Sequence, residues 1–123
     1  MTLNFADGTA FSQGACRYTA KPAASGDTYV QPFLSISVEG QPIEVAVDTG
    51  GFFLILHPEI AELVGLNALD GEPLDALIIR GQKVPGHLHR ATLTLEAQQG
   101  DRFEVEVTAL VPDGDWDFPN FLG

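Results

Sequence analysis

The residues best placed to do chemistry stand together at Asp48-Thr49-Gly50, directly after the apolar run Val45-Ala46-Val47. A carboxylate at the end of a buried strand is costly unless it is hydrogen-bonded or paired. The small hydroxyl residue and the glycine beside it supply a tight turn that can aim the carboxylate at one spot. An aimed carboxylate can take a proton from, or give one to, a molecule held in front of it. The bare tripeptide also reads as a surface β-turn, since Asp and Gly are common turn formers. Apolar flanks on both sides, residues 45–47 and 52–56, favour a loop set between strands. Two other groups invite comparison with metal sites. His87 and His89 fall on one strand face, but no third ligand follows by spacing. Asp113, Asp115 and Asp117 have the spacing of the start of a calcium loop, yet Phe118 holds the position that needs glycine. That run reads as a solvated loop, and neither metal nor cofactor is expected.

The elements that must position Asp48 are short strands. Residues 33–38 alternate, and Ile43, Val45 and Val47 alternate in the next run, with a hairpin turn at residues 39–42. A second apolar run follows the Asp-Thr-Gly loop at residues 52–56. One short helix is expected over residues 58–64. Pro58 suits its first position, Glu59 and Glu62 suit the positive end of its dipole, and Gly65 with Leu66 suits its C-terminal cap. Residues 67–73 read as loop, and residues 77–84 as a hairpin with Gly81 near its tip. A last hairpin pairs Ala91, Leu93 and Leu95 with Phe103, Val105 and Val107, turning at residues 99–101. Residues 1–28 are poor in periodicity and read as a loop-rich N-terminal extension, with one short strand near residues 15–19. Residues 21–27 read as loop. Residues 29–123 form the domain proper, an all-β, barrel-like unit with one short helix.

Bulk properties narrow the function classes. A chain of 123 residues holds one domain with a real core. Its net charge of −11, with 6 Lys and Arg, argues against nucleic acid as a partner and against anionic membranes. No apolar run reaches the roughly 18–20 residues of a membrane span. Cys16 is the single cysteine, so no intrachain disulfide is possible. A lone thiol fits a reducing compartment, and the N-terminus lacks the pattern of a signal peptide, so a cytoplasmic location is expected.

Taken in order, these features resemble a single-lobe aspartic peptidase of the retropepsin type, the class of retroviral proteases and their bacterial and cellular relatives. A strand enters Asp48-Thr49-Gly50, a short helix follows at residues 57–66, and a glycine-bearing hairpin at residues 78–85 falls where the family has its flap. Residues 86–91 then begin the strand after the flap. Finally, Phe121-Leu122-Gly123 resembles the hydrophobic-hydrophobic-Gly motif that packs beneath the catalytic loop. The resemblance implies a closed retropepsin-like β-barrel, the acid protease fold, and an aspartic endopeptidase that hydrolyses peptide bonds. In that family two Asp carboxylates share a proton and activate one water. One Asp-Thr-Gly per chain implies a homodimer, with Asp48 from each subunit, Thr49 bracing the two loops and Gly50 allowing close backbone approach. Gly51, where the family usually has Ala or Ser, and the hairpin residues Ile79, Arg80 and Gly81 are the implied substrate-binding positions. Relatives continue past this point into a helix and often a terminal strand, so the domain is expected to be truncated at its C-terminus and its dimer weak or absent in this form. The alternative from another class is a non-catalytic peptide-binding or scaffold domain of the same fold.

Overall fold

The computed structural model describes residues 4, 6–9, 14–22, 30–67, 70–79 and 81–123. Among them the order is β1 (Gly14–Ala15), β2 (Thr19–Pro22), β3 (Val30–Val38), β4 (Gln41–Val47), β5 (Leu54–Ile55), α1 (Pro58–Leu63), β6 (Glu72–Ile79), β7 (Gln82–Leu95), β8 (Gln99–Gly100), β9 (Phe103–Pro112) and β10 (Phe121–Leu122). The large sheet runs β2-β3-β4-β10-β5-β9-β7-β6, and β3 also pairs with β7. The pairings from β3 around to β7 therefore return on themselves, and the sheet closes into the all-β barrel that the sequence implies. Strands β2 and β6 lie outside that ring, as edges.

The hairpins follow from local chemistry. Between β3 and β4, Glu39 and Gly40 both take positive φ, 48° and 79°, which is the two-residue turn whose twist matches the flanking strands. Glu39 also ties this turn to β7: its N–H donates to the Thr92 carbonyl at 2.9 Å. Its carboxylate accepts the Thr92 N–H at 2.7 Å. The β7–β9 hairpin has the register read from its alternation, with Ala91 opposite Val107, Leu93 opposite Val105 and Leu95 opposite Phe103. Helix α1 ends as its sequence predicts. Leu66 N–H reaches back to the Ala61 carbonyl and Gly65 N–H to that of Glu62, the paired bonds of a glycine cap.

Period-2 alternation divides the interior into two clusters. Val45, Leu54, Ala109 and Val111 join Ile36, Val38 and Leu56 in one cluster. Their neighbours Ala46, Ile55 and Leu110 point the other way, into a second cluster with Trp116 and Phe121. The central strands are thus buried on both faces. Side chains such as Leu56 and Val45, both 0% exposed, each contribute about 1.5–3 kcal/mol by leaving water.

Several bounds differ from the sequence reading. Strand β6 begins at Glu72, inside a stretch read as loop, because residues 72–74 pair with residues 86–88 of β7. The apolar run at residues 52–56 yields only the two residues of β5. Within residues 1–28 there are two short strands among the described residues rather than one. Lys21 and Pro22, read as loop, belong to β2, which pairs with β3, while β1 pairs with β8. Residues 23–27 of the expected loop lie outside the described residues.

Candidate active site

Asp48 is the first residue beyond β4, and backbone bonds fix it from several directions. Its N–H donates to the Leu122 carbonyl at 2.8 Å, and its own carbonyl accepts the Gly51 N–H at 3.1 Å. The Gly50 N–H donates to Asp48 Oδ1 at 3.1 Å, so the turn orients the carboxylate as well as the backbone. Asp48, Thr49 and Gly50 are all exposed. Gly123 lies directly against the loop at Gly51. A Cβ at Gly123 would stand 2.6 Å from the Gly51 carbonyl carbon and 2.8 Å from its Cα.

Strand β10 is the brace for this loop. It lies between β4, to which it is parallel, and β5, to which it is antiparallel. Asn120, just before it, joins three elements. Its carbonyl accepts the Ala46 N–H at 2.8 Å, its Nδ2 donates to the Glu44 carbonyl at 3.1 Å, and its Oδ1 accepts the His57 N–H at 2.7 Å. His57 caps α1 in turn, its Nδ1 accepting the Glu59 N–H at 3.1 Å.

In front of Asp48 lies a groove of about 200 Å³. Its floor is the loop itself, with Asp48, Gly50 and Gly51, above Phe121 and Gly123. Phe52, Phe53 and Ile55 form one wall, and Leu77, Ile78 and Ile79 from the end of β6 form the other. Among the described residues of the lining, Asp48 is the one that is charged; the rest are apolar or glycine. Phe52 is 84% exposed and Ile78 is 69% exposed, so large apolar surface stands open beside the carboxylate. A larger cleft of about 310 Å³ runs past Cys16 and Phe103, and it shares no lining residue with the Asp48 groove.

The groove brings together Asp48, Gly50, Gly51 and Ile79 from the positions singled out in the sequence. Thr49 sits at the turn, outside the lining. Gly81, with φ 78°, turns the β6–β7 hairpin where Ile79 faces Gln82, also outside the lining. Arg80 lies outside the described residues. Phe52, Phe53, Ile55, Leu77, Ile78 and Phe121 were not read as groove residues. Phe52 and Phe53, two aromatics directly after Gly51, were the available signal; Asn120 offered none.

The histidines and the acidic loop have other places. His87 Nδ1 lies 2.6 Å from Asp113 Oδ1. His89 Nε2 is buried without a hydrogen-bond partner among the described residues, close against Gly71. No group of three or more His, Cys, Asp or Glu side chains among the described residues is placed to hold a metal ion. The loop read as solvated is solvated at Asp113, Asp115 and Asp117, but Trp116 within it is 5% exposed. Its Nε1 donates to the Pro119 carbonyl at 3.1 Å.

A closed barrel, a loop at the end of one strand carrying a carboxylate, a late strand braced beneath that loop and a hairpin beside it define the retropepsin-like fold, and this chain has it. Two solved structures show the likeness. The EIAV protease complexed with the inhibitor HBY-793 matches with a TM-score of 0.55 and 17% identity, over 76% of this chain and 81% of that one. A retropepsin-like aspartic protease from Rickettsia conorii matches with a TM-score of 0.56 and 17% identity, over 89% of this chain and 79% of that one. At the level of sequence, no protein-family model and no curated protein matches the chain.

Proposed function

We propose that this chain is one subunit of an aspartic endopeptidase that cleaves peptide bonds as a homodimer. The observation that carries this reading is the exposed Asp48 carboxylate, oriented by the Gly50 N–H on the floor of an apolar groove. Acid–base hydrolysis by this route needs two carboxylates sharing a proton across one water. Each subunit brings one, so two copies must face each other at Asp48. One carboxylate then takes a proton from the water as it attacks the scissile carbonyl, and its partner gives a proton to the carbonyl oxygen. Thr49, exposed beside Asp48 at the meeting edge, braces the paired loops. The open apolar surface of Phe52 and Ile78 is covered by substrate or by the second copy. The β6–β7 hairpin, hinged at Gly81, closes over the bound peptide and excludes water.

The test is cleavage of a peptide library by wild type and by Asp48→Asn, which keeps the shape and removes the titrating group. Cleavage is expected from wild type, blocked by a statine-type compound whose hydroxyl takes the place of the attacking water, and none from the variant. Equal turnover by the two proteins would remove Asp48 from the chemistry. Peptide binding without cleavage by wild type would support the non-catalytic module instead.

A further inference from the structure

We propose that His87 and Asp113 are a positioning pair, a latch that holds the Trp116 loop to the base of the β6–β7 hairpin and thereby sets the Phe121 floor of the groove. His87 lies on β7, below the hairpin tip, with uncharged Pro73 and Val111 as its cross-strand neighbours. Asp113 is the first residue after β9. Its carboxylate meets His87 Nδ1 at 2.6 Å, with the two side chains 17% and 38% exposed. Its N–H donates to the carbonyl of Pro85, two residues from His87, at 3.0 Å. Both ends of Asp113 are therefore held by the same strand.

The consequence passes along the loop. Trp116 packs edge-on against Phe118, with ring centroids 5.0 Å apart, and against Phe121, 6.2 Å apart. Phe121 lines the Asp48 groove and is held in β10 between Ala46 and Ile55. Ile55 belongs to the same cluster as Trp116 and Phe121, and Phe53, Leu77 and Ile79 pack against it; these four residues come from both walls of the groove. His87–Asp113 thus clasps a packed layer that carries the floor of the groove and reaches both of its walls. A bond placed there fixes groove width without touching the reacting atoms, so its loss weakens binding rather than the chemical step.

The effect on substrate rests on the peptidase reading; the latch itself is read without catalysis. The chain has one tryptophan, so emission reports on Trp116 alone. The experiment compares wild type with His87→Ala, Asp113→Ala, the double variant and His87→Asn, whose side-chain N–H can replace the Nδ1 donor. Both alanine variants are expected to shift emission to the red and to raise its quenching by acrylamide severalfold. The double variant should be no worse than either single one, as for two partners of one interaction. His87→Asn should stay near wild type. In peptide cleavage the alanine variants should raise KM about threefold to tenfold with little change in kcat. Folded alanine variants with wild-type emission and quenching would overturn the latch, as would fully additive effects in the double variant. If the alanine variants fail to fold by circular dichroism, His87→Asn decides: a buried Trp116 supports the latch and an exposed one overturns it. Absence of cleavage by wild type would overturn the peptidase reading and leave the fluorescence result standing.

Discussion

Gly123 meets Gly51 backbone to backbone, so the loop that carries Asp48 has no slack beneath it. Adding a methyl at Gly123 would press on the Gly51 Cα and carbonyl carbon at 2.6–2.8 Å, atoms that cannot swing aside as a side-chain end can. Gly123→Ala should therefore destabilise the protein by about 1–3 kcal/mol, as overpacking does. A methyl at Gly51 would meet the Gly123 Cα at 3.2 Å, a contact relieved by a few tenths of an ångström. Gly51→Ala should then cost less than about 1 kcal/mol. Urea unfolding of the two variants checks the ranking, and equal costs would mean the loop is softer than its contacts indicate. The Asp-Thr-Gly motif was legible in the sequence because its three residues are adjacent. The contact between Gly51 and Gly123 was not, because no local string reports what lies under a turn.

Asn120 holds β4, β10 and the start of α1 in one arrangement. Asn120→Ala leaves the His57 N–H and the Glu44 carbonyl without their side-chain partner and should cost about 1–3 kcal/mol. Asn120→Asp keeps an acceptor for His57 but loses the donor to Glu44, so its thermal midpoint should fall between wild type and alanine. A midpoint for Asp below that of Ala would contradict this division of labour. The hairpin tip offers a second check. Gly81 has φ 78°, a region hostile to β-branched side chains, so Gly81→Val should strain the turn by about 1–3 kcal/mol and slow any closure over a peptide. Hairpins were the readable elements, since alternation and turn residues together fix register, as between Ala91–Val107 and Leu95–Phe103. Elements defined by distant pairing were not readable at their true lengths. The apolar run after Asp48 pairs only at Leu54 and Ile55. Thr19–Pro22 became strand β2 through its partner β3, with no alternation of its own.

As a whole the chain carries a charge of −11, so in the proposed homodimer the two copies brought together at Asp48 repel one another. The apolar residues beside the loop, Phe52 and Ile78, favour the association that the charge opposes. Added salt screens the repulsion, with a Debye length near 10 Å at about 0.1 M, and leaves apolar burial in place. Dimerisation measured by ultracentrifugation should therefore strengthen with salt, and specific activity should rise with both salt and protein concentration. Association that weakens with salt would instead indicate an interface built on ion pairs. Strand β10 carries a consequence for the order of events in synthesis. The Asp48 N–H finds its acceptor only in Leu122, and the Asn120 clamp reaches a carbonyl 76 positions earlier in the chain. At about 5–20 residues per second that interval takes roughly 4–15 s. Throughout it the emerging chain holds Asp48 on an unbraced loop, so the arrangement on which the proposed peptidase activity rests is completed only after β10 has been made.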